Sequence, residues 1–258
     1  AKIRHCDRSS LLPAGYSAMT RDRYVLITGG ALRIGRSIAL AVARAGFDVA
    51  LHYWKSETES ETLCREIRAL GRKTLLLQAD LTQAEELKSL VPRILKRGML
   101  VGLINNASVF EKLDWKSTGL EDWNRHLMIN LTAPFLLSQA FAQALPPGEE
   151  GRIINLLDWR ISRADAGHLP YSISKSALAS LTGALAAALA PQITVNGLAL
   201  GAVLPPTDGT VDGHILDKVP AGRWASLEEV DQTVLFLLTG PAYITGEILY
   251  IDGGRHLL

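Results

Sequence analysis

Thr28-Gly29-Gly30-Ala31-Leu32-Arg33-Ile34-Gly35 stands between an apolar run, Tyr24-Val25-Leu26-Ile27, and an amphipathic stretch over 36–45 that Gly46 closes. A second apolar run, Val49-Ala50-Leu51-His52-Tyr53, follows at once. A strand, a glycine turn, a helix and a strand within about 30 residues make one βαβ unit. Glycines at this junction permit a tight turn and close approach by a pyrophosphate, whose charge the free N–H groups of the helix N-terminus stabilise. A structural turn without a ligand has the same composition, so the weight comes from its position between strand and helix.

Working outward, the alternation continues. Helices are expected near 58–70, 85–97, 123–144, 171–189 and 226–238, and strands at 74–78, 101–104, 152–156, 194–198 and 248–251. Short apolar strands with little polar alternation suit a parallel sheet covered on both faces. No repeat, low-complexity tract or linker divides the chain. The expected fold is α/β, a single Rossmann-like doubly wound parallel sheet. Residues 1–20 are expected to lie outside it as an extension, with 21–258 forming one NADP-binding catalytic domain.

Composition narrows the function classes. The 258 residues carry 27 Lys plus Arg against 26 Asp plus Glu, a formal charge of +1, which offers no broad cationic surface for nucleic acid. With 48% hydrophobic residues the chain can bury a full core. No apolar segment of signal-peptide length is read near the N-terminus, and the uncharged stretch 176–207 is interrupted by Pro191, Gln192, Asn196 and Pro205, so neither secretion nor a membrane span is expected. Cys6 and Cys64 are too few for a disulfide framework, and a reducing, cytoplasmic location is expected. The six His form no ligand-spaced cluster, so no metal is expected.

The cofactor preference is read at the end of the second strand, where an Asp or Glu would accept from a ribose 2′-hydroxyl and select NAD. Here the chain reads His52-Tyr53-Trp54-Lys55-Ser56, without a carboxylate, while Arg33 sits in the glycine turn. Arg33, Lys55 and Ser56 can supply the cations and donors a 2′-phosphate needs, which favours NADPH over NADH. A solvated loop with ordinary basic residues is the alternative. Asp80-Leu81 offers an adenine-edge contact, although Asp80 serves equally well as a helix cap.

Tyr171 and Lys175 in Tyr171-Ser172-Ile173-Ser174-Lys175 lie four apart, on one face of a helix. An ammonium beside a phenol favours the phenolate and makes the pair a usable acid or base. Together with the glycine turn, Asn105-Asn106-Ala107 at the end of a strand and Asn130 on the next long helix, this set resembles the short-chain dehydrogenase/reductase family from about residue 23 to the end. The resemblance implies a seven-strand sheet, NAD(P)-dependent hydride transfer and a homotetramer. It implies that Gly29, Ile34 and Gly35 belong to the coenzyme turn, with His52 and Tyr53 near the adenosine end, and that Asn106, Ala107 and the backbone at Gly201 line the cofactor. It further implies that Asn130 helps hold a proton-relay water, that Tyr171 is the catalytic acid, and that Lys175 binds the nicotinamide ribose and lowers the tyrosine pKa.

Departures from the family pattern point to the substrate. Thirteen residues before Tyr171, where most members carry a Ser that binds a carbonyl, stands Asp158. An ionised carboxylate cannot donate to a ketone, whereas it suits a substrate with ring nitrogens and an amino group. With Arg33, the 52–56 segment and Asn105-Asn106-Ala107-Ser108-Val109-Phe110, it resembles the pteridine reductase branch, including the bacterial dihydromonapterin reductases. That resemblance implies a pterin or folate substrate sandwiched between nicotinamide and Phe110, with Ser108 and Arg33 contacting pterin or phosphate, and Tyr171 and Asp158 as the proton relay. A structural acceptor role for Asp158 and simple burial for Phe110 are the plain alternatives. The rival functions are a carbonyl or 3-oxoacyl reductase on the same scaffold and an NADPH-binding regulator without turnover. The 205–220 segment is expected to form a substrate lid.

Overall fold

β1 (Arg23–Ile27), α1 (Arg33–Arg44) and β2 (Asp48–Tyr53) form the βαβ unit, and the glycine turn occupies the link from Ile27 to Arg33. The computed structural model describes residues 22–163, 165–204 and 215–258; the expected extension 1–20 and most of the expected lid lie outside the described residues. The chain continues through α2 (Glu57–Ala69), β3 (Thr74–Gln78), α3 (Ala84–Leu95) and β4 (Met99–Asn105). After α4 (Leu120–Leu127) and α5 (Ala133–Ala144) come β5 (Gly151–Asp158), α6 (Leu169–Leu189), β6 (Ile193–Leu200), α7 (Leu227–Thr239) and β7 (Ile248–Ile251).

All seven strands are parallel, in the order β3-β2-β1-β4-β5-β6-β7. Winding reverses between β1 and β4, so the crevice at their C-terminal ends is the switch point where such sheets take ligands. Side-chain alternation along β1 explains its unbroken apolar run. Val25 and Ile27 pack with Ile38 and Val42 of α1 and Val230 and Val234 of α7, whereas Tyr24 and Leu26 pack with Leu90 and Ile94 of α3 and Phe141 of α5. Both faces are covered, and each fully buried aliphatic side chain contributes about 1.5–3 kcal/mol.

Two elements differ from expectation. The helix expected over 123–144 is interrupted by a five-residue π turn, Met128–Thr132, in which the Ala133 N–H reaches back to the Met128 carbonyl. Pro134 explains the break: it has no N–H to offer Asn130 four residues earlier, so the α ladder cannot run through. Helix α6 is long and apolar enough to cross a membrane by length and composition. Its Tyr171, Lys175, Leu178 and Thr182 are nevertheless buried, and Leu178 packs with Leu157 of β5 and Ala199 of β6.

Candidate active site

A cleft of about 1230 Å³ opens at the switch point, and its wall includes Gly29, Arg33, Gly35, His52, Asp80 and Ala107. The N-terminus of α1 faces it without a side-chain cap and without an acidic residue in its first turn. Its free N–H groups and positive dipole end therefore suit an anion. Four hydrogen bonds hold the turn in shape. Asn106 Nδ2 donates to the carbonyls of Thr28 (2.8 Å) and Gly29 (2.9 Å), and the Thr28 hydroxyl accepts from the N–H groups of Asn106 and Ala107, both at 3.0 Å. Gly29 has φ +59°, and Arg33 holds φ +52°, a left-handed conformation that costs a residue with a Cβ about 1–2 kcal/mol. A cation is kept on the cleft wall where the backbone favours glycine.

His52 acts behind the turn. Its Nδ1 accepts from the Gly29 N–H at 3.1 Å and its Nε2 lies 3.1 Å from the Ala79 carbonyl, so the neutral tautomer protonated on Nε2 satisfies both contacts. Burial pushes this imidazole down from 6.5 to about 4. Folding thus favours the neutral ring: the stabilisation is complete above pH 6.5 and is lost as pH falls toward 4. The gap corresponds to about 3 kcal/mol. Urea unfolding of the wild-type chain should show that loss between pH 6.5 and 4, and His52→Gln should flatten it. An unchanged pH slope would remove His52 as its origin.

Asp158, Tyr171 and Lys175 meet at the C-terminal edge of β5 and the start of α6. Tyr171 donates its hydroxyl to Asp158 Oδ2 at 2.9 Å. Asp158 Oδ1 also accepts from the Arg160 N–H at 2.8 Å, and the Arg160 guanidinium lies 3.1 Å from both carboxylate oxygens. Arg160 Nε reaches Asp165 Oδ2 at 2.7 Å, and that oxygen lies 3.1 Å from His168 Nδ1. The His168 ring stacks on Phe110 with centroids 4.5 Å apart, and Phe110 meets Tyr171 edge-on at 4.7 Å. Burial first, then the Asp158 charge and hydrogen bond, raise the Tyr171 phenol well above 10, so it stands as an acid, loaded with its proton at neutral pH. Lys175 Nζ donates to the Leu156 carbonyl at 2.7 Å, and burial brings its ammonium down to about 8.

The family described as enoyl-(acyl carrier protein) reductase matches residues 30–256. The chain belongs to the short-chain dehydrogenase/reductase family. This short-chain dehydrogenase/reductase is 32% identical over 234 residues to the 3-oxoacyl-[acyl-carrier-protein] reductase of Synechocystis, covering 89% of this chain and 95% of that protein. In three dimensions it is similar to the FolM alternative dihydrofolate reductase 1 of Brucella canis complexed with NADP, with TM-score 0.85, 35% identity, and coverage of 93% and 96% of the two chains. A short-chain dehydrogenase of Burkholderia cenocepacia in complex with NADP is similar at TM-score 0.83 and 34% identity, covering 91% of this chain and 97% of that one.

Several expected site residues of this short-chain dehydrogenase/reductase sit differently from their sequence reading. His52 and Asn106 brace the glycine turn, with their polar atoms engaged by protein. Tyr53 is buried at 6% exposure and is not part of the cleft wall; neither are Lys55 and Ser56, whereas Trp54, 51% exposed, is. Lys55 lies over the Trp54 ring at 3.8 Å. Ile34 and Leu81 line the cleft as read. Asp80 lines it too, but its Oδ1 is taken by the Thr82 N–H and hydroxyl in a local turn; it does not cap α3, whose N-cap is Gln83. Gly201 is a packing glycine, since a Cβ there would lie 2.6 Å from the Asp252 Cα.

Asn130 cannot hold a relay water through its side chain. Its oxygen accepts from the Val109 N–H (2.8 Å) and the Ser108 hydroxyl (3.1 Å), and its nitrogen donates to the Val109 carbonyl and Ser174 Oγ, both at 3.0 Å. All four hydrogen-bonding positions of the amide are used. It is a bracket for the 108–110 segment that carries Phe110. Burial first and then Asp158 hold the Tyr171 phenol above its ordinary value, the opposite direction from the lowering by Lys175 that the resemblance implies. Sequence reading missed Arg160, Asp165 and Thr28. The only signal for the first was an Arg two residues after the unusual Asp158.

Proposed function

We propose that the chain is an NADPH-dependent reductase of dihydropterins. The observation that carries this is the Asp158 carboxylate, held by Arg160 at 3.1 Å and by the Tyr171 hydroxyl at 2.9 Å, where a ketone reductase needs a hydroxyl donor. An ion-paired carboxylate has no proton to give a carbonyl, but it accepts from ring N–H and amino groups. The uncapped, acid-free N-terminus of α1 fits the pyrophosphate of NADPH, and Arg33 on the cleft wall fits its 2′-phosphate. When bound, NADPH supplies the hydride that reduces the C6 position of the N5=C6 bond.

The chain's own residues supply the proton and the orientation. Tyr171 gives its hydroxyl proton to N5: the O–H bond breaks as N5–H forms, and solvent then restores the phenol through the Asp158 edge. A tyrosine with a raised pKa starts the cycle fully protonated, the state that reduction requires. Asp158 orients that hydroxyl and receives substrate N–H groups. Phe110, 51% exposed, supplies the stacking face, which His168 covers in this structure and vacates for the pterin ring.

The 3-oxoacyl reductase reading has one observation in its favour, the names of curated relatives that are 28–32% identical to this chain. A panel of 7,8-dihydrobiopterin, dihydromonapterin, dihydrofolate and a β-ketoacyl thioester, each followed by NADPH oxidation, separates the two. The expected result is turnover of the dihydropterins with the thioester far behind. A thioester preference would replace the pterin reading.

A further inference from the structure

Both groups proposed to hold the substrate are occupied by the protein's own side chains, and one arginine stands between them. An ionised carboxylate offers about four acceptor positions, two on each oxygen. At Asp158 all are taken. Oδ1 accepts from the Arg160 N–H at 2.8 Å and from its guanidinium at 3.1 Å, and Oδ2 accepts from the Tyr171 hydroxyl at 2.9 Å and from the same guanidinium at 3.1 Å. At the other end the His168 ring lies nearly parallel to Phe110, with 10° between the planes and 4.5 Å between the centroids. Asp165 holds it there: one oxygen, Oδ2, lies 3.1 Å from His168 Nδ1 and also takes Arg160 Nε at 2.7 Å. The other, Oδ1, accepts the Gly167 N–H at 2.9 Å, which fixes the carboxylate in a local turn. The Arg160 guanidinium carbon is itself 5.5 Å from the Phe110 centroid, so one side chain reaches both carboxylates and the ring.

A ring N–H or amino group therefore reaches Asp158 only when one of the present donors leaves. The Arg160 backbone N–H is fixed by the turn Trp159–Ser162, and the Tyr171 hydroxyl is needed for proton delivery, so the guanidinium is the donor that yields. Its nearest alternative is Asp165, to which it is already bonded through Nε. A guanidinium turned wholly onto that carboxylate pairs with it through two N–H···O bonds and competes with His168 for it. We propose that Arg160 and Asp165 couple the capture of substrate N–H groups at Asp158 to the uncovering of Phe110: the arginine passes from Asp158 to Asp165, and His168 loses its hydrogen bond and leaves the stacking face. Asp165 acts through the other two side chains and is a positioning residue. The inference rests on the dihydropterin reading and adds how that site opens. A ketone brings no N–H to Asp158 and leaves the cover in place, so the same coupling selects nitrogen heterocycles over simple carbonyl compounds.

The test is stopped-flow binding of 7,8-dihydrobiopterin to the NADP-loaded enzyme, a complex with no hydride to transfer, followed by quenching of tryptophan fluorescence. Uncovering that follows capture makes the observed rate level off as the dihydrobiopterin concentration rises. His168→Ala has no cover to remove and should lift that ceiling by roughly tenfold or more. Asp165→Asn should lower it by roughly tenfold, because a neutral amide is a weaker destination for the arginine than a carboxylate. The direction separates the coupling from an independent cover, for which a loosened His168 hydrogen bond in Asp165→Asn speeds uncovering. Asp165→Ser keeps an acceptor for the Gly167 N–H without the charge and repeats the measurement, with the same expected fall, should Asp165→Asn not fold. A faster or unchanged ceiling in the Asp165 variant overturns the coupling, and an unchanged ceiling in His168→Ala overturns the cover; both outcomes leave the pterin reading intact. A wild-type enzyme that neither binds nor reduces a dihydropterin removes the pterin reading and this inference together.

Discussion

Asp158→Asn is expected to lower kcat on a dihydropterin by roughly 10²-fold or more, and Tyr171→Phe by roughly 10³-fold. The amide matches the carboxylate in shape, so the substitution isolates charge and hydrogen-bond polarity. In the native site Asp158 takes the Tyr171 hydroxyl at 2.9 Å and the Arg160 guanidinium at 3.1 Å. An amide presents one acceptor to those two donors, and its NH₂ group faces one of them as a second donor. Arg160 then loses one of its two counter-charges and the tyrosine loses its fixed orientation. Because the two residues act on one proton, the double variant should be little slower than Tyr171→Phe alone, a non-additivity that single-turnover kinetics can measure. The pH profile gives a second check. Asp158 and burial hold the tyrosine high, so removing the charge should move the alkaline limb of kcat downward in pH. Full turnover of a dihydropterin by Asp158→Ala would defeat the assignment.

Gly35→Ala should abolish cofactor binding at micromolar NADPH and lower Tm by several degrees. A Cβ at this position would lie 2.4 Å from the Gly29 carbonyl, 2.6 Å from Asn106 Nδ2 and 2.9 Å from the Gly30 Cα. Two of these are backbone atoms, and the third holds the turn by donating to the Thr28 and Gly29 carbonyls. The turn must therefore open, at a cost of about 1–3 kcal/mol in stability, and the N–H groups at the start of α1 lose their aim. Gly46→Ala is the matched control. Gly46 sits at φ +97° with nothing within 4 Å of an added Cβ, so it should cost stability through backbone strain alone and leave NADPH fluorescence titrations unchanged. Equal loss of binding in both variants would show that general destabilisation, not the shape of the turn, controls affinity.

The sheet, its helices and the coenzyme turn were legible in the chain because they rest on local rules. Strands buried on both faces read as unbroken apolar runs, Gly46 ends a helix, and a Tyr and Lys four apart must share a helical face. The unusual Asp158 was equally visible. Its partners were not, because a linear reading cannot tell which way a turn folds. The short turn Trp159–Ser162 brings Arg160 back onto Asp158 and out to Asp165, and the start of α6 sets His168 against Phe110 from a loop 58 positions earlier. His52 looked like a ligand contact from its place in the strand and is instead a buried staple, since only the pairing of β1 with β2 brings its Nδ1 to the Gly29 N–H. Local periodicity and turn chemistry thus decided the architecture, while the role proposed for Tyr171 came from the family resemblance. Tertiary packing alone decided the protonation states, because a pKa depends on burial and on charges brought near by folding, and neither is a property of neighbours in sequence.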